Sequence, residues 1–332
     1  MAAGRKVELS RELLRSSKVA KVFPESDRSI SSISFNDTGD YCVTAGEDDS
    51  LNLYNCKEGT VSSTLYSKKY GVTLARFTHH KNNLIYASTK ENDTLRYLSV
   101  HDNKYIRYFQ GHKKRVIAVE MSPIDDTVMT SSLDQTVRLW DLRAPTCQGL
   151  LRGEGKTLAA FDPQGLVFAV GNNCDKLRVY DLRDYTKGPF ATWAVEDAQY
   201  TPGRLPEWTS LKFTPDGKQL VVTTTADIIY ILDAFDGKLL QRLVGHSGTD
   251  DASSCGEEVC ITPDAQFVMA GGRDSHLRIW DLNTRDTAMD NQPFTTLPTP
   301  HKTAIKVVGY NPSNAMAVTG ARELDFWLPS LS

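Results

Sequence analysis

The sequence has no long apolar run and no excess of charge of either sign. Its longest apolar stretches, such as the one around 220–222, are of strand length, whereas a membrane-spanning helix needs about 20 residues. The 332 residues carry 38 Lys and Arg against 41 Asp and Glu, for a net charge of -3. Without a global positive field we expect no direct binding of duplex nucleic acid, and we expect no membrane contact.

The sequence also lacks the motifs of enzymes and of metal sites. No glycine-rich phosphate loop, G-x-S-x-G elbow or H-E-x-x-H motif is present. The six cysteines are spread without a C-x-x-C pair or a histidine at ligand spacing. His79, His80 and His101 lie in turn-like stretches without a third ligand. We therefore predict a protein without enzymatic activity that binds no metal and no cofactor.

What the sequence does contain is a sevenfold repeat. An aromatic or apolar residue followed by a turn recurs at intervals of about 46 residues. The seven copies are 35–39 (FNDTG), 77–80 (FTHH), 121–123 (MSP), 161–165 (FDPQG), 213–217 (FTPDG), 261–264 (ITPD) and 310–313 (YNPS). A second column follows later in each repeat and consists of Tyr54, Leu98, Trp140, Tyr180, Leu232, Trp280 and Trp327.

Each repeat has the pattern of four short strands. In the third repeat we predict strands at 116–121, 127–131, 136–140 and 147–151. The β-branched and aromatic residues of 136–140 (TVRLW) favour extended backbone, and their alternation leaves one face half-buried. A four-stranded unit cannot bury both of its faces alone, so the repeats must stack on one another.

The two columns, together with Gly-His at 111–112 and 245–246, resemble the WD40 family over nearly the whole chain. The resemblance implies an all-β fold, a seven-bladed WD40 β-propeller. The last repeat ends after its third strand, whereas 18–23 (KVAKVF) is a strand-like segment outside the repeats. We predict that 18–23 closes the ring on the last blade, because a free edge would favour aggregation. Residues 18–332 then form one propeller domain after an N-terminal extension at 1–17.

Recurring polar residues fit the structural tetrad that this resemblance implies. The candidates in the third and sixth repeats are His112, Asp134, Trp140, His246, Asp274 and Trp280, with Ser131 or Ser132 as the hydroxyl group. A His–Asp–Ser set is also typical of catalytic sites. We favour the structural interpretation, because an Asp stands six residues before the second-column residue in the first, third and sixth repeats, at Asp48, Asp134 and Asp274. A catalytic group does not recur in each blade, and we call this position the slot. We expect degraded or absent tetrads where the slot holds Asn92, Cys174, Ala226 or Ala321.

Three consecutive connections between the repeats are basic. They bring seven cations and one tyrosine to one face: Lys68, Lys69, Tyr70, Lys113, Lys114, Arg115, Arg152 and Lys156. The following connections are acidic and contain Glu196, Asp197, Glu207, Asp250, Asp251, Glu257 and Glu258. We predict a basic crescent over blades two to four that binds an acidic or phosphorylated peptide, with Arg115 as the strongest contributor and Tyr70 as an aromatic wall. A solvated surface without function is the alternative.

Longer segments resemble one group of WD-repeat proteins more closely. They are 65–72 (LYSKKYGV), 101–109 (HDNKYIRYF), 140–150 (WDLRAPTCQGL), 187–192 (KGPFAT), 207–213 (EWTSLKF) and 326–329 (FWLP). These segments are similar to the WD-repeat subunit shared by COMPASS-type histone lysine methyltransferase complexes and the RNA cleavage-and-polyadenylation or phosphatase-linked termination machinery. The resemblance implies a nuclear, non-enzymatic adaptor that holds the N-terminal region of a methyltransferase. It also implies contact, in some members, with the phosphorylated C-terminal tail of RNA polymerase II.

The alternative function is that of a substrate receptor of a cullin-RING ubiquitin ligase. The segment 140–143 (WDLR) satisfies the W-D-x-R pattern of such receptors, and 180–183 (YDLR) approaches it. Many propellers without a ligase link carry this pattern, so the methyltransferase subunit is favoured. We expect departures from the family at 1–8 and in insertions around 199–206, 248–256 and 283–300.

Overall fold

Seven β-sheets surround a channel in the computed structural model of the chain, which confirms the predicted seven-bladed WD40 β-propeller. The structure describes residues 8–24, 26–172, 175–201, 203–248, 255–284 and 289–330. One helix, α1 (Arg11–Arg15), and one 3-10 turn (Tyr185–Lys187) accompany the strands in these ranges. Within the same ranges, no helix has the length and apolar character needed to cross a membrane.

The first strand, β1 (Ser17–Phe23), precedes blade one. Blade one consists of β2 (Ile30–Phe35), β3 (Tyr41–Gly46), β4 (Ser50–Asn55) and β5 (Thr60–Tyr66). Blade two consists of β6 (Thr73–Phe77), β7 (Asn83–Ala87), β8 (Leu95–Ser99) and β9 (Lys104–Phe109). Blade three consists of β10 (Val116–Met121), β11 (Thr127–Ser132), β12 (Thr136–Asp141) and β13 (Cys147–Arg152).

Blade four consists of β14 (Thr157–Phe161), β15 (Val167–Asn172), β16 (Lys176–Asp181) and β17 (Ala191–Ala194). Blade five contains β18 (Trp208–Phe213), β19 (Gln219–Thr224), β20 (Ile229–Asp233) and β21 (Leu239–Leu243). Blade six consists of β22 (Val259–Ile261), β23 (Phe267–Gly271), β24 (His276–Asp281) and, after the short β25 (Asp290–Asn291), β26 (Thr295–Pro298). Blade seven contains β27 (Val307–Tyr310), β28 (Ala317–Gly320) and β29 (Leu324–Pro329).

The two sequence columns mark the hairpins and the cores of the blades. In the first hairpin of blade five, Thr214 Oγ1 donates to Asp216 Oδ1 at 2.7 Å. Gly217 follows with a φ of +71°, a conformation that glycine adopts without strain. In the second column, Trp140 and Trp280 are fully buried between neighbouring sheets.

The innermost strands of neighbouring blades run parallel. The backbone N–H groups of Ala75 and Phe77 in β6 donate to Ser32 Oγ and Ser34 Oγ in β2, at 3.0 and 3.3 Å. All connections between blades therefore lie on one face of the ring. The hairpins between the second and third strands of each blade lie on the same face, which we call the connection face. The other hairpins lie on the opposite face, which we call the hairpin face.

Blade seven takes its fourth strand from the beginning of the chain. β1 pairs antiparallel with β29, which is the pairing that the sequence predicted for this segment. Phe23 of β1 packs edge-to-face against Tyr54 and Phe326, with ring centroids 4.7 and 4.9 Å apart. Leu14 of α1 joins the apolar cluster around Phe267. The described part of the predicted extension therefore contributes to the core.

The first and last blades are in direct contact. Asn311 Nδ2 of blade seven donates to the carbonyl oxygen of Gly39 in blade one at 2.7 Å. Ile30 of β2 and Val307 of β27 share one buried apolar cluster. On its other side, blade seven contacts blade six through the backbone, where Val308 N–H donates to a carbonyl oxygen at 2.8 Å.

The insertion after β24 departs from the repeat. β25 pairs in parallel with β21, so that blade five has five strands. Arg242 of β21 is buried, and its side chain donates to Asp290 at 2.6 Å and to Asp197 at 2.7 Å. The added strand covers the outer edge of blade five, which would otherwise expose unpaired backbone groups.

Candidate partner-binding face

The tetrad residues of blade three come together on the connection face. His112 Nδ1 lies 3.1 Å from Asp134 Oδ2, and His112 Nε2 lies 2.7 Å from Thr130 Oγ1. Trp140 Nε1 donates to the same hydroxyl at 2.9 Å. An ionised carboxylate only accepts hydrogen bonds, so the imidazole proton lies on Nδ1, and because burial lowers the pKa of His112 the neutral ring accepts the Thr130 hydroxyl proton at Nε2.

The hydroxyl group of this tetrad belongs to Thr130, and the expectation of Ser131 or Ser132 is wrong. Ser131 follows Thr130 in the strand and therefore points to the other face of the sheet. Ser132 Oγ donates instead to the carbonyl oxygen of Lys114 at 2.7 Å. Sequence spacing alone did not distinguish three consecutive hydroxyl residues.

Asp134 also fixes the loop that carries three predicted basic residues. The backbone N–H of Lys113 donates to Asp134 Oδ2 at 2.9 Å, and Leu133 N–H donates to the carbonyl oxygen of Arg115 at 2.9 Å. Burial acts to raise the pKa of Asp134, but hydrogen bonds from Thr136, from the Lys113 backbone and from the tetrad histidine lower it to about 2. The carboxylate is therefore ionised and holds the loop in place.

Blade six does not form the tetrad that the sequence predicted. Arg278 Nη1 and Nη2 donate to the two carboxylate oxygens of Asp274 at 2.9 and 2.5 Å. Trp280 Nε1 donates to a backbone carbonyl oxygen, that of Val244, at 3.1 Å. His246 Nδ1 is buried and has no hydrogen-bond partner among the described residues. Burial lowers the pKa of His246 to about 4.

A missing hydroxyl group explains this difference between blades. Ala270 pairs across the strands with Arg278, as Thr130 pairs with Arg138 in blade three. Alanine offers no oxygen that could join the histidine to the tryptophan, and the acid pairs with the nearby guanidinium instead.

Blade seven contains a tetrad that the sequence analysis missed. His301 Nδ1 lies 3.1 Å from Glu323 Oε1, and His301 Nε2 lies 2.8 Å from Thr319 Oγ1. Trp327 Nε1 donates to the same hydroxyl at 2.9 Å. The acid was missed because the hairpin between β28 and β29 is shorter than that of blade three, so the slot six residues before Trp327 is the wrong one. A signal was present in the His-Lys pair at 301–302, which repeats the one at 112–113.

Blade two holds an arginine among tyrosines at the corresponding place. The guanidinium carbon of Arg96 lies 3.4 Å from the ring centroid of Tyr70 and 5.1 Å from that of Tyr108. Arg96 is buried, and its Nε donates to Ser88 Oγ at 2.8 Å. One face of the Tyr70 ring is therefore covered by Arg96, and Lys69 Nζ lies 5.0 Å from its centroid.

The loop of blade three presents its cations to solvent. Lys113, Lys114 and Arg115 are all exposed, and none forms an ion pair in the part of the chain that the structure describes. Lys68 and Lys69 are also exposed, on the connection before blade two. Arg152, at the end of β13, is exposed as well, so six of the seven predicted cations lie on the surface.

The crescent is narrower than predicted, and an acidic hairpin interrupts it. Lys156 Nζ donates to Glu207 Oε1 at 2.9 Å, and its side chain is 13% exposed, so it does not extend the basic surface to blade four. In blade two, Glu91 lies 3.8 Å from Lys69. Asp93 follows in the same hairpin, and burial, with a smaller contribution from Asp134, raises its pKa. Two basic groups therefore flank this hairpin.

Four of the five predicted arc acids that the structure describes are buried or paired with cations. Glu257 is buried and accepts a hydrogen bond from Arg76 Nη2 at 2.5 Å. Asp197 and Glu207 are paired with cations, as described above. Two further acids lie outside the described residues, namely Asp250 and Asp251. Glu196 is exposed, so bases neutralise only part of the arc among the described residues, and the split of charge stays a prediction.

The innermost strands line a cavity of about 360 Å³ in the channel. Lys212 Nζ donates to two backbone carbonyl oxygens at 2.9 and 2.6 Å, and Glu120 Oε2 accepts from the N–H of Phe161 at 2.9 Å. Burial raises the pKa of Glu120 to about 7. Single charges in otherwise apolar strands were the only sequence signal for this network. These hydrogen bonds link the innermost strand of blade three to that of blade four, and that of blade five to that of blade six, which suits a structural role.

Known proteins match this chain at the level of single repeats and of the whole sequence. The family model "WD domain, G-beta repeat" matches residues 17–55, 103–141 and 237–281. The chain is 41% identical to WD repeat-containing protein 82 of Drosophila melanogaster over 98% of each chain. It is 39% identical to Set1 complex component swd2 of Schizosaccharomyces pombe, over 76% of this chain and 71% of the relative. It is 32% identical to COMPASS component SWD2 of Saccharomyces cerevisiae over 90% of each chain. The chain therefore belongs to the WD-repeat family that includes WD repeat-containing protein 82 and these Swd2 proteins.

Proposed function

We propose that the protein is a non-enzymatic adaptor of a COMPASS-type histone lysine methyltransferase complex in the nucleus, where it holds the N-terminal region of the methyltransferase. Two relatives that cover most of the chain carry the names Set1 complex component and COMPASS component, and this supports the proposal. A ring of blades with two broad loop faces suits the binding of several proteins at once.

We further propose that the protein serves the mRNA cleavage-and-polyadenylation and transcription-termination machinery by contacting the phosphorylated C-terminal tail of RNA polymerase II. The observation that carries this proposal is the loop with Lys113, Lys114 and Arg115, which is exposed and held by hydrogen bonds to its neighbouring hairpin. Cations on a preorganised loop bind phosphate oxygens at a lower entropic cost than cations on a loose one. A tail with two phosphates can engage this loop and the group of Lys68 and Lys69.

The ubiquitin-ligase alternative has less support. Arg143, the last residue of the W-D-x-R segment, donates through Nε and Nη2 to Asp141 at 3.0 and 3.1 Å. Its guanidinium group therefore points to a carboxylate of its own hairpin. The names of the relatives given above also point to methyltransferase complexes.

Peptide binding tests the role of the connection face. Polymerase-tail peptides with and without two phosphoserines are titrated with the full chain at low and high salt. We expect preference for the phosphorylated peptide and weaker binding at high salt, because salt screens charge contacts. The double variant Lys113→Glu/Arg115→Glu should lose about tenfold or more in affinity. The matched control is Lys218→Glu/Lys238→Glu, which makes the same change of charge on the hairpin face and should bind normally.

The opposite results would contradict tail reading: equal affinity for both peptides, or equal loss in the two double variants. Adaptor function is tested separately by co-expressing the full chain with the methyltransferase catalytic subunit. Co-purification of the two chains is expected. Recovery from nuclear extract of a cullin and its adaptor, without methyltransferase subunits, would favour the ligase alternative.

A further inference from the structure

The guanidinium group of Arg96 lacks the acidic partner that the same position has in blade six. Arg96 of β8 and Arg278 of β24 both lie two residues before the second-column residue of their blade. Arg278 donates to both carboxylate oxygens of Asp274, which holds the slot in blade six. In blade two the slot holds Asn92, whose Oδ1 accepts from Arg96 Nη2 at 3.3 Å. No Asp or Glu pairs with Arg96 in the part of the chain that the structure describes.

Arg96 is therefore a buried charge without an opposite charge beside it. Its side chain is 4% exposed, and an arginine keeps its proton in proteins. The rings of Tyr70 and Tyr108 offset part of the cost of burial through cation–π contacts. A buried charge that has no counter-charge nevertheless remains unfavourable. The surroundings of Arg96 thus favour an anion that the described chain does not supply.

The two acids of the neighbouring hairpin do not fill this role. Glu91 is exposed and lies 3.8 Å from Lys69 Nζ. Burial and the charge of Asp134 raise the pKa of Asp93, and no cation acts to lower it. An adjacent guanidinium group would lower that pKa, because it favours the ionised carboxylate. Asp93 is therefore not the partner of Arg96.

The open edge of Arg96 lies near a second cation. Nε donates to Ser88 and Nη2 donates to Asn92, whereas Nη1 has no hydrogen-bond partner among the described residues. Nη1 reaches solvent, since it is not one of the buried side-chain atoms that lack a partner. The centroid of the Tyr70 ring lies 3.4 Å from Arg96 Cζ and 5.0 Å from Lys69 Nζ. Two cations therefore share one tyrosine ring on the connection face.

We propose that Arg96 and Lys69 together bind one phosphate group of a phosphorylated peptide, while the Tyr70 ring holds the guanidinium group in place. The inference rests on the proposed contact with the phosphorylated polymerase tail and deepens it, because it adds Arg96 to the group of Lys68 and Lys69. The blade-three loop then takes the other phosphate. A phosphate carries about two negative charges and three acceptor oxygens, which suits two cations better than a single carboxylate does. Stacking fixes the guanidinium fork beforehand, so binding orders it at little further cost.

The variant Asn92→Asp tests this assignment and leaves Arg96 in place. Its new carboxylate stands where Asp274 stands in blade six, so we expect it to pair with Arg96 and to raise the melting temperature. Affinity for a doubly phosphorylated tail peptide should fall about tenfold, because the guanidinium group is then engaged within the protein. Asn103→Asp is the matched control. It makes the same change of charge in blade two, at an exposed position on the hairpin face, and should bind normally.

The variant Arg96→Gln separates a direct contact from the general field of the added charge. In a double-mutant cycle, Asn92→Asp should weaken peptide binding in the wild-type background and have little effect in the Arg96→Gln background, because both changes remove the same contact. Each full-length variant is titrated at a temperature where circular dichroism shows that it is folded. Free phosphoserine provides a measurement without the peptide. At equal ionic strength it should raise the melting temperature of wild type more than that of Asn92→Asp.

The outcomes distinguish this inference from the proposed tail contact. If Asn92→Asp binds the phosphorylated peptide as wild type does, or weakens binding by the same factor in both backgrounds, Arg96 is a structural residue and the tail contact through Lys113 and Arg115 survives. If wild type binds neither the phosphorylated peptide nor phosphoserine, both proposals fail. If phosphoserine stabilises wild type but not Asn92→Asp, while peptides with and without phosphate bind equally, the phosphate site stands and the tail contact fails.

Discussion

The carboxylate of Asp134 accepts a hydrogen bond from the backbone N–H of Lys113 at 2.9 Å. The same oxygen, Oδ2, lies 3.1 Å from His112 Nδ1 inside the tetrad. One half-buried acid therefore connects the core of blade three to the basic loop on the connection face. A residue that stabilises the fold also positions the cations proposed to bind phosphate.

Asp134→Ala is expected to lower stability and phosphopeptide binding together. Removing the carboxylate leaves His112 and the backbone N–H of Lys113 without their acceptor, which costs about 1–3 kcal/mol in the free energy of unfolding. Because the loop loses its anchor, affinity for a doubly phosphorylated tail peptide should fall even under conditions where the variant is fully folded. Urea unfolding and peptide titration measure the two effects. Asp134→Asn keeps one acceptor oxygen and should lose less; wild-type affinity in a folded Ala variant would contradict the link.

Phe23→Ala is expected to destabilise the protein strongly. Phe23 is buried between rings of blades one and seven, and truncating such a side chain costs about 3–5 kcal/mol. Val22→Ala is the control, because Val22 precedes it in the same strand but is exposed, and its change should stay within about 0.5 kcal/mol. Thermal unfolding compares the two variants. Similar melting temperatures would mean that β1 contributes little to the core.

Asp325→Asn is expected to change how stability depends on pH. Asp325 is fully buried, and neither carboxylate oxygen has a hydrogen-bond partner among the described residues; His301 Nε2, 3.4 Å away, is closer to Thr319 Oγ1. Burial, with a smaller contribution from Glu323, raises the pKa of Asp325 to about 7. An acid with a higher pKa in the folded state binds more protons when folded. It therefore weakens stability as pH rises from its unfolded pKa of about 4 to about 7.

The asparagine variant lacks this proton and should gain over wild type as pH rises. The difference in melting temperature between Asp325→Asn and wild type should shift in favour of Asp325→Asn between about pH 5 and pH 8. Asp27→Asn, at an exposed position, should follow wild type at both values. A constant difference between Asp325→Asn and wild type would show that Asp325 does not titrate in this range.

Arg96→Lys is expected to destabilise blade two although it preserves charge. Lysine cannot stack a planar guanidinium on Tyr70 or retain the Nε hydrogen bond to Ser88, and we expect a loss of about 1–3 kcal/mol in the free energy of unfolding. Arg143→Lys, at an exposed arginine with an acidic partner, should change stability by less than about 0.5 kcal/mol. Chemical denaturation of both variants decides the matter. Equal and small effects would mean that the stacking contributes little.

The tetrads show where counting along the sequence succeeds and where it fails. Asp134 and Trp140 stand at the expected spacing, and the structure brings them to one hydroxyl network. The same spacing predicted Asp274 for blade six, but Ala270 leaves that network without its hydroxyl. Glu323 escaped notice because a shorter hairpin moves the acid closer to Trp327. Counting a fixed number of residues back from the tryptophan finds the tetrad acid only where the hairpin has the same length. The tetrad also forms only where the strand provides the hydroxyl residue.

The number of blades and the strand order within them followed from the sequence alone. Turn residues and buried aromatic residues act on their immediate neighbours in the chain, so their repetition is visible without the fold. Which charges reach solvent was decided only by tertiary structure. Lys156 pairs with Glu207, 51 residues away, and Asp197 pairs with Arg242, 45 residues away. Ion pairs of this kind depend on how neighbouring blades stack. The sequence around each residue does not show which distant charge will lie next to it in space.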